Sequence, residues 1–182
     1  MTIRTTGTRV VYENRWLRLR EDAIEYSDGS AGIYGVVEKI DFVVVIALEG
    51  EHLWLVEQYR HPVGERSLEL PQGAWEHDPR ADPAAVARGE LEEETGLRAT
   101  SLEPLGRLAQ AIGYSNQGMH VFLATGLEPG RRRLDHEEQG LTASRVRVDE
   151  FERMARAGVV TDATSIAAYG LLLLHGGATG GR

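Results

Sequence analysis

Four carboxylates stand within five positions in Glu90-Leu-Glu-Glu-Glu94, and Thr95-Gly96 follows them. On a helix, residues three and four apart share a face, so Glu90, Glu93 and Glu94 would project together while Glu92 points elsewhere. Like charges at that spacing destabilise an isolated helix by a few tenths of a kcal/mol per pair. In the C-terminal half of a helix they also oppose the macrodipole. A divalent cation reverses the sign, because hard Mg²⁺ or Mn²⁺ seeks clustered carboxylate oxygens and keeps its remaining positions for water and phosphate. The competing reading of any glutamate run is a solvated acidic face. Against it stands the upstream turn Leu70-Pro-Gln-Gly73, which would bring backbone carbonyls to the same face.

Such a cluster needs a helix with defined ends and a sheet to hold it. Asp82 offers an N-cap and Pro83 a first helical position, while Gly96 offers a left-handed stop, predicting a helix over residues 83–95. The β-branched run FVVVIAL at 42–48 and the stretch His52–Tyr59 read as two strands at the buried centre of a sheet. The first forty residues alternate apolar and polar positions and break at Ser27-Asp-Gly-Ser30, which is hairpin patterning. Further strands are expected at Leu102–Leu108, His120–Ala124 and Ser144–Val148, and helices over Asp149–Met154 and Asp162–His175. Hairpin-linked strands interrupted and followed by helices predict an α/β fold, a mixed sheet covered by helices. The organisation expected is an N-terminal β-strand region (1–40), a main domain (41–176) and a flexible tail (177–182), without repeats.

Composition narrows the chemistry. A chain of 182 residues with 42% hydrophobic content can bury a substantial core. Its net charge of −8 and pI near 5.3 disfavour generic binding to nucleic acid or anionic membrane, so an anionic substrate needs local arginines or a bridging cation. The absence of cysteine excludes disulfides, thiolate metal sites and cysteine nucleophiles. With no signal-like apolar segment near the N-terminus, a cytoplasmic location is expected. The six histidines show no metal-ligand spacing. Trp16, Trp54 and Trp75 are assigned mainly to packing, Trp75 being the one near the acidic cluster.

From Gly73 to Leu97 the chain resembles the Nudix box, and Glu90-Leu-Glu-Glu-Glu-Thr-Gly-Leu97 matches its second half position for position. That resemblance implies that Glu90, Glu93 and Glu94 are Mg²⁺ ligands (Mn²⁺ substituting), with the backbone carbonyl of Gln72 as a further one. It also implies an α/β/α sandwich. Two departures stand out. The family arginine falls on Gly89, with Arg88 one step earlier and about 100° around the helix; a mid-helix glycine costs about 1 kcal/mol relative to alanine. The span from Gly73 to Glu90 is longer than the family's, and Pro79 occupies the place of its first acid.

Resemblance continues outside the box. Val56-Glu-Gln-Tyr-Arg-His-Pro-Val63, Glu69-Leu-Pro-Gln-Gly73, Gly113-Tyr-Ser-Asn116 and Ala157-Gly-Val-Val-Thr-Asp-Ala163 look like the ADP-ribose and nucleotide-sugar pyrophosphatase branch. That branch splits a diphosphate linkage, whose anionic oxygens repel nucleophiles until a cation offsets them. A base is needed to orient or deprotonate the attacking water. The branch's loop acid corresponds to Glu137, with Glu138 the alternative, in His136-Glu-Glu-Gln-Gly-Leu141. Arg60 suits a diphosphate oxygen through its planar fork, Glu69 resembles the ribose- or base-contacting acid, and Tyr114 could stack over the pocket. The function implied is Mg²⁺-dependent hydrolysis of ADP-ribose to AMP and ribose 5-phosphate. The alternatives are another nucleotide sugar such as GDP-mannose, or a catalytically weak nucleotide-binding regulatory module. The resemblance further implies a homodimer in which the N-terminal strands contact the partner.

Overall fold

A computed structural model describes residues 2–134 and 139–176. Among these, the chain runs through β1 (Ile3–Glu13), β2 (Arg18–Tyr26), β3 (Ala31–Glu38), β4 (Phe42–Glu49), β5 (His52–Arg60), β6 (Glu65–Glu69) and β7 (Gln72–Gly73). Helix α1 (Pro83–Thr95) follows, then β8 (Leu97–Ala109), β9 (Gly118–Pro129), β10 (Thr142–Arg147), α2 (Val148–Arg156) and α3 (Ala163–Leu174). The first three strands form their own antiparallel sheet, and the other seven form a second one in the order β10-β5-β4-β9-β8, with β6 on β5 and β7 on β4. β4 and β9 are parallel, from Phe42↔Met119 to Ala47↔Ala124, while the other pairings are antiparallel. The sheet is therefore mixed, as its sequence pattern predicts.

β4 shows why a continuous β-branched run belongs at the centre. Its alternate side chains enter opposite faces: Phe42, Val44 and Ile46 join Phe151, Ala168, Tyr169 and Leu172 of α2 and α3. Val43, Val45 and Ala47 join Val86, Ala87 and Leu91 of α1. Two cores on the two faces of one sheet make the α/β/α sandwich.

Element ends differ from the sequence reading at a few places. β8 begins at Leu97 rather than Leu102, because it extends to pair Leu97 with Pro129 along the whole of β9. Val148 opens α2 instead of closing β10. The 177–182 tail lies outside the described residues.

One irregularity prepares the site. β4 and β5 pair only at Leu48↔Leu53 and Glu49↔His52, next to their turn, and then separate. β6 returns along β5 (Val56↔Glu69 to Arg60↔Glu65), and β7 enters the gap against β4 (Val44↔Gln72, Val43↔Gly73). Residues 69–73 thus sit where the sheet splits, facing α1 on one side and α3 on the other.

Candidate active site

α1 starts and stops as its sequence dictates. The Asp82 carboxylate accepts from the Ala84 N–H, Pro83 stands in the first turn, and Gly96 closes the helix at φ 74°, its N–H returning to the Glu92 carbonyl. The helix face turned to the sheet carries Val86, Ala87, Glu90, Leu91 and Glu94, so two of the clustered carboxylates descend into the protein with the apolar residues. Glu90 is 5% and Glu94 1% exposed, Glu93 is half-buried, and Glu92 turns away to Arg98 at 2.7 Å. A solvated acidic face does not bury its acids. Ionised carboxylates at such depth carry a heavy desolvation cost unless compensated.

The split in the sheet supplies the nearest compensation. The Gln72 N–H donates to Glu94 Oε2 at 3.0 Å. Gly73 lies so close to the Glu90 carboxylate that an added Cβ would overlap it and the carboxylate would have to shift, so glycine permits their present approach. The turn itself is held from below. The Glu69 carboxylate is buried and accepts the Gln72 amide at 2.8 Å, and the same amide reaches Asp162 Oδ2 at 3.2 Å. Asp162 also caps α3 through the N–H groups of Thr164 and Ser165. Ser165, fully buried, donates its hydroxyl to Asp162 and accepts the Leu70 N–H at 2.7 Å. In the sequence Asp162 reads only as a helix start, and Asp-Ala-Thr-Ser165 is the signal for a capping group.

The far end of α1 is tied down by Gly130–Arg133. Gly130 N–H donates to the Gly96 carbonyl (2.7 Å) and Arg133 N–H to the Glu93 carbonyl (3.2 Å), while the Arg132 guanidinium donates to the carbonyls of Glu94 and Leu141, both at 2.7 Å. Cationic donors thereby meet the helix's last carbonyls and offset its negative pole. The Arg131-Arg-Arg133 run was the overlooked signal. It leads directly into residues 135–138, so Glu137 and Glu138 lie outside the described residues.

The departure at Gly89 has a packing cause. The Trp75 indole, stacked on His77, lies against the helix there, and a Cβ on residue 89 would overlap the ring. Arg88 meanwhile donates to the Ala99 carbonyl at 2.9 Å; it does not face the acidic cluster's turn.

A cleft of ≈ 480 Å³ opens beside the 69–73 turn, with Arg60, Glu69, Gln72 and Gly73 in its lining. Its size suits a nucleotide-sized ligand. Arg60 does not present a free fork to it: Nε and Nη2 grip the two Glu69 oxygens at 2.8 and 2.5 Å. That bond, followed by the charges of Glu69, Glu94 and Asp162, holds the guanidinium pKa above its ordinary value. Tyr114 differs from expectation. Its ring is exposed and does not line the cleft, whereas its carbonyl accepts the Val37 N–H at 2.7 Å and so links its loop to β3. Gln110 and Gln117 bring that loop to the cleft.

The donor set fits a hard divalent cation: carboxylate oxygens on one helix face beside a backbone turn, with glycine at the point of closest approach. Among the described residues, no three acidic or histidine side chains are already gathered into a ligand group, and Glu90, Glu93 and Glu94 each engage other groups. A cation would have to draw these carboxylates together against their mutual repulsion.

The family description "NUDIX domain" matches residues 38–168, and "Nucleoside diphosphate sugar hydrolase N-terminal domain" matches residues 3–37. The chain belongs to the Nudix family. Within the family it is similar to an ADP-ribose pyrophosphatase of Mycobacterium tuberculosis, at 33% identity over 178 residues covering 97% of this chain and 84% of that one. An ADP-ribose pyrophosphatase of Bacillus subtilis is 27% identical over 174 residues, 94% of this chain and 92% of its own. In fold, a solved structure described as an ADP compounds hydrolase superposes with a TM-score of 0.85 at 21% identity, covering 98% of each chain. These relatives assign the chain to the ADP-ribose and nucleotide-sugar branch of Nudix enzymes. Among the described residues, no helix is long and apolar enough to cross a membrane.

Proposed function

We propose that this Nudix enzyme is a Mg²⁺-dependent pyrophosphatase that hydrolyses ADP-ribose to AMP and ribose 5-phosphate, with Mn²⁺ able to substitute. The observation that carries the reading is the burial of Glu90 and Glu94 against the Gln72–Gly73 strand beside a nucleotide-sized cleft. The two bacterial relatives named for ADP-ribose support the choice of substrate.

Glu90, Glu93 and Glu94, with the Gln72 carbonyl, would hold the cation. When bound, it would offset the charge of the diphosphate and of the leaving phosphate. The chain's own residues do the rest. The Asp162–Ser165–Glu69 network fixes the turn on which the acids rest, so the Gln72 carbonyl has a set position beside the helix face that carries them. Glu69 and Arg60 form one wall of the cleft: their mutual bidentate bond locks both side chains and leaves the outer guanidinium edge and carboxylate lone pairs for ribose or phosphate oxygens. Tyr114, exposed outside the cleft lining, would meet a bound nucleotide only at the rim, on the loop that Gln110 and Gln117 bring to the cleft. Glu137, or Glu138 one step on, would take the proton of the attacking water.

The second element of the reading is a homodimer formed through the β1–β3 sheet. β1 is exposed along its whole length, and Val10, Val11, Tyr12 and Ile33 present apolar surface there. Sedimentation equilibrium should give twice the chain mass; a monomer at micromolar concentration would remove this element.

A panel of ADP-ribose, GDP-mannose, NADH and diadenosine polyphosphates, with Mg²⁺ or Mn²⁺, tests the function. ADP-ribose should be turned over fastest, with both products in equal amounts, and no turnover of any diphosphate would overturn the proposal. Glu93→Gln should cut metal-dependent turnover by more than about 10²-fold, beyond the 10–100-fold expected of a residue that only orients a ligand, while circular dichroism stays unchanged.

A further inference from the structure

Lys39 is the sole lysine of the chain; its other fixed cations are arginines. It follows β3 and lies on the wall between two clefts. It lines the ≈ 480 Å³ cleft beside the 69–73 turn and also a second one of ≈ 370 Å³ bounded by Trp75, Pro79 and His120. Ile40 and Phe42 are shared by both linings, so the clefts are contiguous around this residue.

Its backbone is firmly placed. The Lys39 N–H donates to Asn116 Oδ1 at 3.1 Å, and the Ile40 carbonyl accepts the Gln117 amide at 2.8 Å. Asp41 is held by Arg107 at 2.6 and 3.0 Å and by the Gly118 N–H at 2.8 Å. Only the side chain of residue 39 is left to move, and it is exposed.

Charge then singles it out. Lys39 and Arg60 are the cationic side chains in the lining of the first cleft, which Glu65, Glu69 and Glu76 share. Arg60 is committed to Glu69 through both oxygens, and the acids on either side of Lys39 in sequence are engaged elsewhere, Glu38 by Arg20 and Arg18 and Asp41 by Arg107. Among the described residues, the Lys39 ammonium forms no ion pair. A diphosphate-linked ligand entering this cleft, in a protein of net charge −8, therefore meets one cation whose charge is not already spoken for.

We propose that Lys39 is a substrate-binding residue that contacts a non-bridging oxygen of the diphosphate and steers the anion into the junction of the two clefts. The inference rests on the pyrophosphatase reading above and adds to it the residue that recognises the charge of the substrate. A flexible ammonium suits this task because it can follow the phosphate as a point charge, where a fixed guanidinium fork would impose one geometry.

Having one lysine makes the test direct. With a mild amine-acylating reagent, the reactive groups are Lys39 Nζ and the terminal amine, which serves as an internal reference. Saturating methylene-bridged ADP-ribose with Mg²⁺ should slow acylation of Lys39 about tenfold, as expected for an amine held in a charge-assisted bond, and leave the reference unchanged. Inorganic pyrophosphate should give partial protection, and its failure to do so would show that Lys39 does not recognise the diphosphate. Lys39→Gln should weaken analogue binding by calorimetry about tenfold with little change in the saturated rate, and Lys39→Arg should recover most of the affinity. If the analogue binds the wild type while Lys39 acylates at its free rate, or if Lys39→Gln binds unchanged, the assignment is wrong and the pyrophosphatase reading survives. If the analogue does not bind the wild type at all, both fall together.

Discussion

Gly89 is the residue at which this Nudix chain departs most plainly from its family's box, and the cause is steric. Replacing a mid-helix glycine with alanine ordinarily stabilises by about 1 kcal/mol. Here the new methyl would enter the Trp75 ring, and overpacking costs about 1–3 kcal/mol. The second effect wins. Gly89→Ala is expected to lower the unfolding free energy measured in urea, whereas in a Trp75→Ala background the same change should raise it by up to about 1 kcal/mol. A double-mutant cycle reads the coupling directly, and two changes that simply add would refute the packing account. Gly73 obeys the same logic with a proposed metal ligand, since the group it admits is the Glu90 carboxylate.

At the scale of elements, the site is a joint between α1, the 69–73 turn and the start of α3. Ser165 is the hidden member. Its hydroxyl, itself buried, accepts the buried Leu70 N–H and donates to Asp162 at the edge of the cleft. Ser165→Ala leaves the buried Leu70 N–H without a partner, which costs about 1–3 kcal/mol. Denaturant unfolding should show the loss as a shifted midpoint at constant slope; a shift below about 0.5 kcal/mol, the range of ordinary surface substitutions, would mean the turn is held by other bonds. The same joint explains why the acids are tolerated late in α1, where the dipole disfavours them. Arg132 and the N–H groups of 130 and 133 occupy the last carbonyls.

Across the whole molecule, Asp41 connects the strand that leaves the N-terminal sheet to the β8–β9 pair. It lies at the entry to β4 and bonds Arg107 of β8, with Gly118 and His120 of β9 beside it. Arg107 above all, then the Gly118 N–H, holds its carboxyl below the usual range against the opposing effect of burial. A depressed folded-state value means that the unfolded chain binds the proton more readily. The stabilisation is thus complete above the unfolded value near ~3.9 and disappears as the pH falls through the folded one. Asp41→Asn should therefore be less stable than wild type at neutral pH, and the gap should close on acidification below about pH 4. A gap independent of pH would show that the ion pair is not its source.

Periodicity and punctuation determined a great deal. The ends of α1 follow from Asp82, Pro83 and Gly96, because caps and stops are local backbone chemistry. The central place of β4 follows from six successive buried side chains that only a two-faced strand can accommodate. The three acids of one helix face were legible for the same reason. Tertiary structure alone decided that β4 and β5 part and admit β7, that Arg60 spends its fork on Glu69, and that Tyr114 offers its backbone instead of its ring to the fold. It also seated Trp75 on Gly89 and drew Asp162 and Ser165 under a turn some ninety residues away in sequence. Each of these is a contact between distant segments, whose partners are chosen by how the two cores close around the sheet, and no local pattern records that choice.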